Sequence, residues 1–127
     1  MTRKAVLIED NANNRYLLTV LLRHAGFTVV ELPDGKEAVQ TVRREAPDVI
    51  LLDIQMPDMD GYEVAAALKG DPVAASVPIV GVSSFAMPGD RERALKSGFA
   101  TYLEKPVDPE RFAASVLSIF DPREGAE

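Results

Sequence analysis

The sequence predicts an α/β domain: a doubly wound, five-stranded parallel sheet built from a (βα) unit used five times. Two observations carry that reading. Short apolar runs at Ala5–Ile8, Thr28–Val30, Val49–Leu52, Ile79–Val82 and Ala100–Leu103 alternate with stretches whose apolar residues recur at helical spacing. Alternating strands and helices imply a parallel sheet with helices on both faces. The second observation is the run Val49-Ile50-Leu51-Leu52 between Asp48 and Asp53. It is too short for a helix and reads as a strand buried on both faces.

Each element has a local reason. Lys4 to Ile8 is the first strand, closed by Glu9-Asp10. Asn11 or Asn13 caps the helix that follows; Leu18, Leu21, Leu22 and Ala25 form its apolar stripe, and Gly26 stops it. Thr28 to Val30 is the second strand and Pro33-Asp34-Gly35 a turn. Gly35, Val39, Val42 and Ala46 make the next helical stripe, which ends before Pro47. After the central strand, Asp60 caps a short helix with Glu63 three residues on; Gly61, Val64, Ala65 and Leu68 line it, and Gly70-Asp71-Pro72 breaks it. Pro78 to Val82 is the fourth strand, ending at Ser83-Ser84. Pro88 opens a helix at its first turn, with Arg91, Ala94, Leu95 and Gly98 on one side. Ala100 to Leu103 is the fifth strand, followed by Glu104-Lys105-Pro106. Phe112, Ala113, Val116, Leu117 and Phe120 line the last helix, and a polar tail begins at Asp121.

Composition narrows the function. The 127 residues suit one domain, and the absence of cysteine excludes disulfides and thiolate metal sites. No apolar run approaches the ~20 residues needed to span a bilayer, and the first residues lack a signal peptide's pattern. A cytoplasmic protein without a membrane partner is expected. A formal charge of −6 argues against a nucleic-acid partner, which calls for excess Lys and Arg.

In a parallel sheet the residues that follow each strand emerge on one edge, where ligands of open α/β sheets bind. That edge would carry Glu9 and Asp10, Asp53, Ser83 and Ser84, and Lys105. Crowded carboxylates raise each other's pKa, and a divalent cation relieves the conflict. Oxygen ligands without His or Cys suit magnesium or manganese. Lys105 then answers phosphate oxygens and Ser83 donates to another, the equipment of phosphoryl transfer. Asp53 as nucleophile would form an aspartyl phosphate.

These residues resemble the response-regulator receiver domain of two-component signalling. The matching pieces are Ile8-Glu9-Asp10-Asn11, Asn14-Arg15, Leu17-Leu18, Gly26, Asp34 through Ala38, Asp48 through Gly61, Pro78 through Ser83, Ala86-Met87 and Tyr102 through Pro106. Each is weak alone; in this order after successive strands they are highly specific. The resemblance implies a flavodoxin-like strand order of 2-1-3-4-5. It implies Asp53 as phosphoacceptor, Glu9 and Asp10 as the acidic pair that holds Mg2+ (or Mn2+), with Asp10 the direct ligand, and the Gln55 backbone carbonyl as a further ligand. It makes Ser83 the switch hydroxyl, Tyr102 the aromatic switch position and Lys105 the phosphate-binding lysine, bonded to Pro106 through a cis peptide. Ser84 and Phe85 depart from the usual pattern, and a bulky Phe85 would restrict access of water or a phosphatase.

The function implied is a single-domain response regulator: residues 1–121 as receiver, 122–127 as a short tail, and no output domain. It accepts phosphate from a histidine kinase or a histidine phosphotransfer protein. It signals by altered partner binding or by relay of the phosphoryl group to another histidine protein; a target protein would meet the fourth helix, fifth strand and fifth helix, where Arg91, Arg93, Lys96 and Arg111 suit an acidic-rimmed partner. Apart from its own phosphorylation and dephosphorylation it would not be an enzyme. The competing enzyme reading is a Mg-dependent phosphatase with an aspartyl intermediate; that class carries Asp-x-Asp after the first strand, whereas here the nucleophile candidate follows the third and Gln55 stands two residues on. Plainer readings stand beside these: strand-end acids, a capping serine, a packed tyrosine. His24, near a helix end, reads as solvated or dipole-stabilised. Asp58 and Asp60 fail as a calcium loop, since aligning Gly61 to its sixth position puts Met56 first and Ala67 twelfth. No Gly-x-x-x-x-Gly-Lys loop is present.

Overall fold

The computed structural model describes residues 2–57, 59–84 and 88–120. The readings of Asp58, of Phe85, of the Ala86-Met87 match and of the tail fall outside these residues. Five parallel strands form one sheet: β1 (Arg3–Ile8), β2 (Phe27–Leu32), β3 (Val49–Asp53), β4 (Ile79–Ser83) and β5 (Thr101–Glu104). Their order is β2-β1-β3-β4-β5, as the resemblance implied. The register runs through Leu7, Leu51, Val80 and Thr101 in adjacent strands.

Strand alternation explains the two helical layers. Val6, Ile8, Ile50 and Leu52 point to one face, against Val42 of α2 (Ala38–Glu45), Val64, Ala65 and Leu68 of α3 (Gly61–Lys69) and Ala94 of α4 (Asp90–Lys96). Their neighbours Ala5, Leu7, Val49 and Leu51 point to the other, against Leu18 and Leu22 of α1 (Ala12–His24) and Phe112 and Val116 of α5 (Pro109–Leu117). Every residue of β3 is buried, which is why its sequence is unbroken apolar up to Asp53.

The termini of the elements refine the sequence reading. Asn11 caps α1, its Oδ1 accepting from the Asn14 amide at 2.9 Å. Asp60 caps α3 through Oδ1, which accepts from the Tyr62 amide at 2.9 Å. β2 extends beyond Thr28–Val30 to include Phe27, Glu31 and Leu32, because edge-strand pairing with β1 holds residues that no apolar run marks. Ala46 leaves the α2 stripe: it is an exposed left-handed C-cap with φ 47°. The fourth helix begins at Asp90, after Gly89 with φ +90°; Pro88 therefore precedes the helix instead of opening it. The fifth helix tightens into a 3-10 turn at Ser118–Phe120. Gly61 has a steric reason: a Cβ there would lie 2.5 Å from the Ile54 Cα, so only glycine lets α3 start beside the end of β3.

Candidate functional site

The chain reverses its direction of winding between β1 and β3, and the carboxyl ends of those strands open the crevice where such sheets bind ligands. Glu9 follows β1, Asp53 ends β3, Ser83 ends β4 and Lys105 follows β5. The structure brings all four to one place.

Lys105 Nζ lies 2.7 Å from Glu9 Oε1 and 3.4 Å from Asp53 Oδ2. Glu9 is completely buried and Asp53 is 3% exposed. Buried carboxylates need partners, and these have them. Glu9 Oε2 accepts from the Asn11 amide at 3.1 Å, and Asp53 Oδ1 accepts from the Gln55 amide at 3.1 Å. Arg15 Nη1 donates to the Glu9 carbonyl at 2.8 Å and thereby ties the β1 end to α1. Asp10 is exposed, yet it offers an oxygen to the same spot: one carboxylate oxygen each of Glu9, Asp10 and Asp53 lie within 4.8 Å of one another.

This crowding acts on Asp53. Burial, then hydrogen bonding to Glu9 and its negative charge, push its carboxyl up to about 7, while Lys105 and the Gln55 amide pull the other way. A carboxylate cluster with one ammonium and no imidazole or thiolate beside it fits a hard divalent cation such as magnesium.

Ser83 is fully buried. Gln55 Nε2 donates to Ser83 Oγ at 2.6 Å, and the Ser84 amide donates to Gln55 Oε1 at 2.9 Å. Tyr102 is 5% exposed and belongs to the α2–α4 side of the core; its carbonyl accepts from Arg91 Nη1 at 3.3 Å. The Lys105–Pro106 peptide is cis. Beside Lys105 a cavity of about 330 Å3 is lined by Asn14, Leu17, Ser84 and Val107.

Two contributions were not read from the sequence. Gln55 was singled out for its carbonyl, but its side chain bridges β3 to β4. Arg15 appeared only as part of a match, but it braces Glu9. The available signal was position: a long polar side chain two residues past a strand-end acid stays on the same edge.

A parallel 2-1-3-4-5 sheet with an acid cluster and a lysine at its carboxyl edge is the construction of a receiver domain. The sequence matches the response regulator receiver domain family over residues 5–117, and the chain belongs to that family, within two-component signalling. It is 36% identical over 118 residues to the polar-differentiation response regulator DivK of Brucella ovis, covering 93% of this chain and 96% of that protein. The receiver domain of sensor histidine kinase PA1611 from Pseudomonas aeruginosa, whose structure has a magnesium ion coordinated in the active-site cleft, superposes with a TM-score of 0.84 at 30% identity, over 95% of this chain and 100% of that one. Chemotaxis protein CheY4 of Vibrio cholerae superposes with a TM-score of 0.86 at 25% identity, over 94% and 99%. Among the described residues no helix is long and apolar enough to cross a membrane.

Proposed function

We propose that Asp53 accepts a phosphoryl group from a phosphohistidine on a kinase or phosphotransfer protein, and that the phosphorylated domain signals by changed partner binding or by relay. The observation that carries this is Asp53 itself: a buried carboxylate between an acidic pair and the Lys105 ammonium. An Asp53 oxygen attacks phosphorus as the P–N bond breaks, and the imidazole leaves with its electron pair. Magnesium would neutralise charge on the transferring group. Asp10, Asp53 and the Gln55 carbonyl would hold it. Glu9, whose oxygens already engage Lys105 and the Asn11 amide, completes the acidic pair and aims the lysine. Lys105 then meets a phosphoryl oxygen, and Ser83 Oγ donates to another.

The output reading follows the same strands. Ser83 and Lys105 are joined to α4, β5 and α5, and the response is a population shift between two packings. The cations there are partly engaged already: Arg91 on the Tyr102 carbonyl, and Arg93 stacked 4.0 Å over the Tyr62 ring. Lys96 and Arg111 are exposed for an acidic-rimmed partner, Arg111 with its Nε 3.7 Å from Asp108 Oδ2.

Intact-mass measurement with acetyl phosphate and Mg2+ tests the acceptor. One phosphoryl group is expected on the wild type and none on Asp53→Ala; undiminished labelling of the variant refutes the assignment. Chemical-shift mapping with beryllofluoride tests the output face, with residues 88 to 112 expected to respond and a response confined to the Asp53 loop counting against it.

A further inference from the structure

Gln55 reaches the site twice. Its backbone amide donates to Asp53 Oδ1 at 3.1 Å. Its side chain crosses to the end of β4, where Nε2 donates to Ser83 Oγ at 2.6 Å and Oε1 accepts from the Ser84 amide at 2.9 Å. The β3–β4 register sets Asp53 opposite Val82, one residue before Ser83. The hydroxyl and the amide held by Gln55 are therefore neighbours of the carboxylate, and both are donors suited to an oxyanion.

Mobility is distributed unevenly over this bridge. Gln55 pairs with Asp60, the cap of α3, in an antiparallel bridge, so its backbone is anchored. Ser83 is fully buried and cannot swing out into water. Gln55 as a residue is exposed, and a carboxamide that swings away is hydrated at once. The side chain of Gln55 is the part that can let go.

We propose that the Gln55 side chain is a latch on the resting state: a positioning residue that holds Ser83 Oγ and the Ser84 amide off the phosphoryl position and is released when Asp53 is loaded. This rests on the reading of Asp53 as phosphoacceptor. The two hydrogen bonds stabilise the unloaded arrangement alone, so they set how much of the phosphoryl group's interaction is consumed in switching. A neutral hydrogen bond is worth about a 2- to 10-fold factor in such an equilibrium.

The test compares the wild type with Gln55→Ala and Gln55→Met by titrating beryllofluoride in the presence of Mg2+ and following amide and side-chain NH2 resonances. Methionine keeps the length and bulk of glutamine without either hydrogen bond. Both variants lose two such bonds and are expected to bind about 4- to 100-fold more tightly than wild type. In the wild type the Gln55 NH2 resonances are expected to move to solvated positions on binding, a signature that a merely structural contact does not give. Equal affinities across the three proteins, or an unmoved Gln55 NH2 in saturated wild type, overturn the latch. Tighter binding by Gln55→Ala with Gln55→Met unchanged also overturns it, since bulk and not hydrogen bonding would then be the cause. A wild type that neither binds beryllofluoride nor labels with acetyl phosphate overturns the acceptor reading and the latch together. Normal labelling with equal affinities removes the latch alone.

Discussion

The Lys105 ammonium contacts Glu9 Oε1 at 2.7 Å across 96 residues of sequence, and the carboxylate it meets has no exposure to solvent. Removing one member of a buried ion pair leaves the other uncompensated. Lys105→Met is therefore expected to destabilise the protein by about 3 kcal/mol in metal-free buffer. Mg2+ should restore part of that loss by supplying positive charge to the same carboxylates. Urea unfolding with EDTA and with Mg2+ measures both effects; a variant as stable as wild type in EDTA would show that Glu9 is held by other means.

Asp53 makes stability depend on pH. Its folded carboxyl is pushed up to about 7 against an ordinary value of 3.8, so between those values it keeps a proton that the unfolded chain has lost. The stabilising effect is complete below the ordinary value, declines as pH rises from about 4 to about 7, and is gone above that window. The slope from this group reaches about −1.4 kcal/mol per pH unit. Asp53→Asn should flatten the profile in EDTA, while Mg2+ should stabilise the wild type increasingly with pH as it displaces the proton. Urea midpoints from pH 5 to 8 decide it, and parallel profiles for wild type and Asp53→Asn would contradict the assignment.

Substitution of Asp10 is expected to separate metal binding from folding. It is exposed, and it adds negative charge to a crowded site. Asp10→Ala is expected to abolish Mg2+-dependent labelling while the melting temperature in EDTA holds or rises. Normal labelling of this variant would remove Asp10 from the ligand set.

Thr41 offers a gain away from the site. Its Oγ1 is buried on α2 without a hydrogen-bond partner among the described residues. Thr41→Val keeps the shape and removes the unsatisfied hydroxyl, so stabilisation by about 1 kcal/mol is expected. Thermal unfolding would register this as a rise of about 3 to 5 °C.

Much of the architecture was legible because parallel sheets write their strands as apolar runs. Val49 to Leu52 is buried throughout, as its composition demands. The edge strand β2 was read short, since Glu31 and Leu32 gain their place by pairing with Leu7 and Ile8, a long-range event that no local pattern encodes. Gly89 displaced the start of α4 because backbone handedness overrode the preference of Pro88 for a first helical turn. At the site, the convergence of Glu9, Asp10, Asp53 and Lys105 followed from topology alone. The Gln55 bridge did not, because it depends on a rotamer and on the spacing between two strand ends.

The 96-residue span between Glu9 and Lys105 also orders events during synthesis. At about 5–20 residues per second the lysine is made some 5 to 20 seconds after the acid it neutralises. Through that interval the acids of the site lack the lysine that pairs with them, and β3 stays an edge strand until β4 arrives beside it, with β5 following on the far side of β4. Chains truncated before Lys105 should therefore fail to label with acetyl phosphate even when the first four strands are present. If Asp53 is the phosphoacceptor proposed above, a half-made chain would be unable to draw phosphate away from its finished counterparts until the last strand is in place.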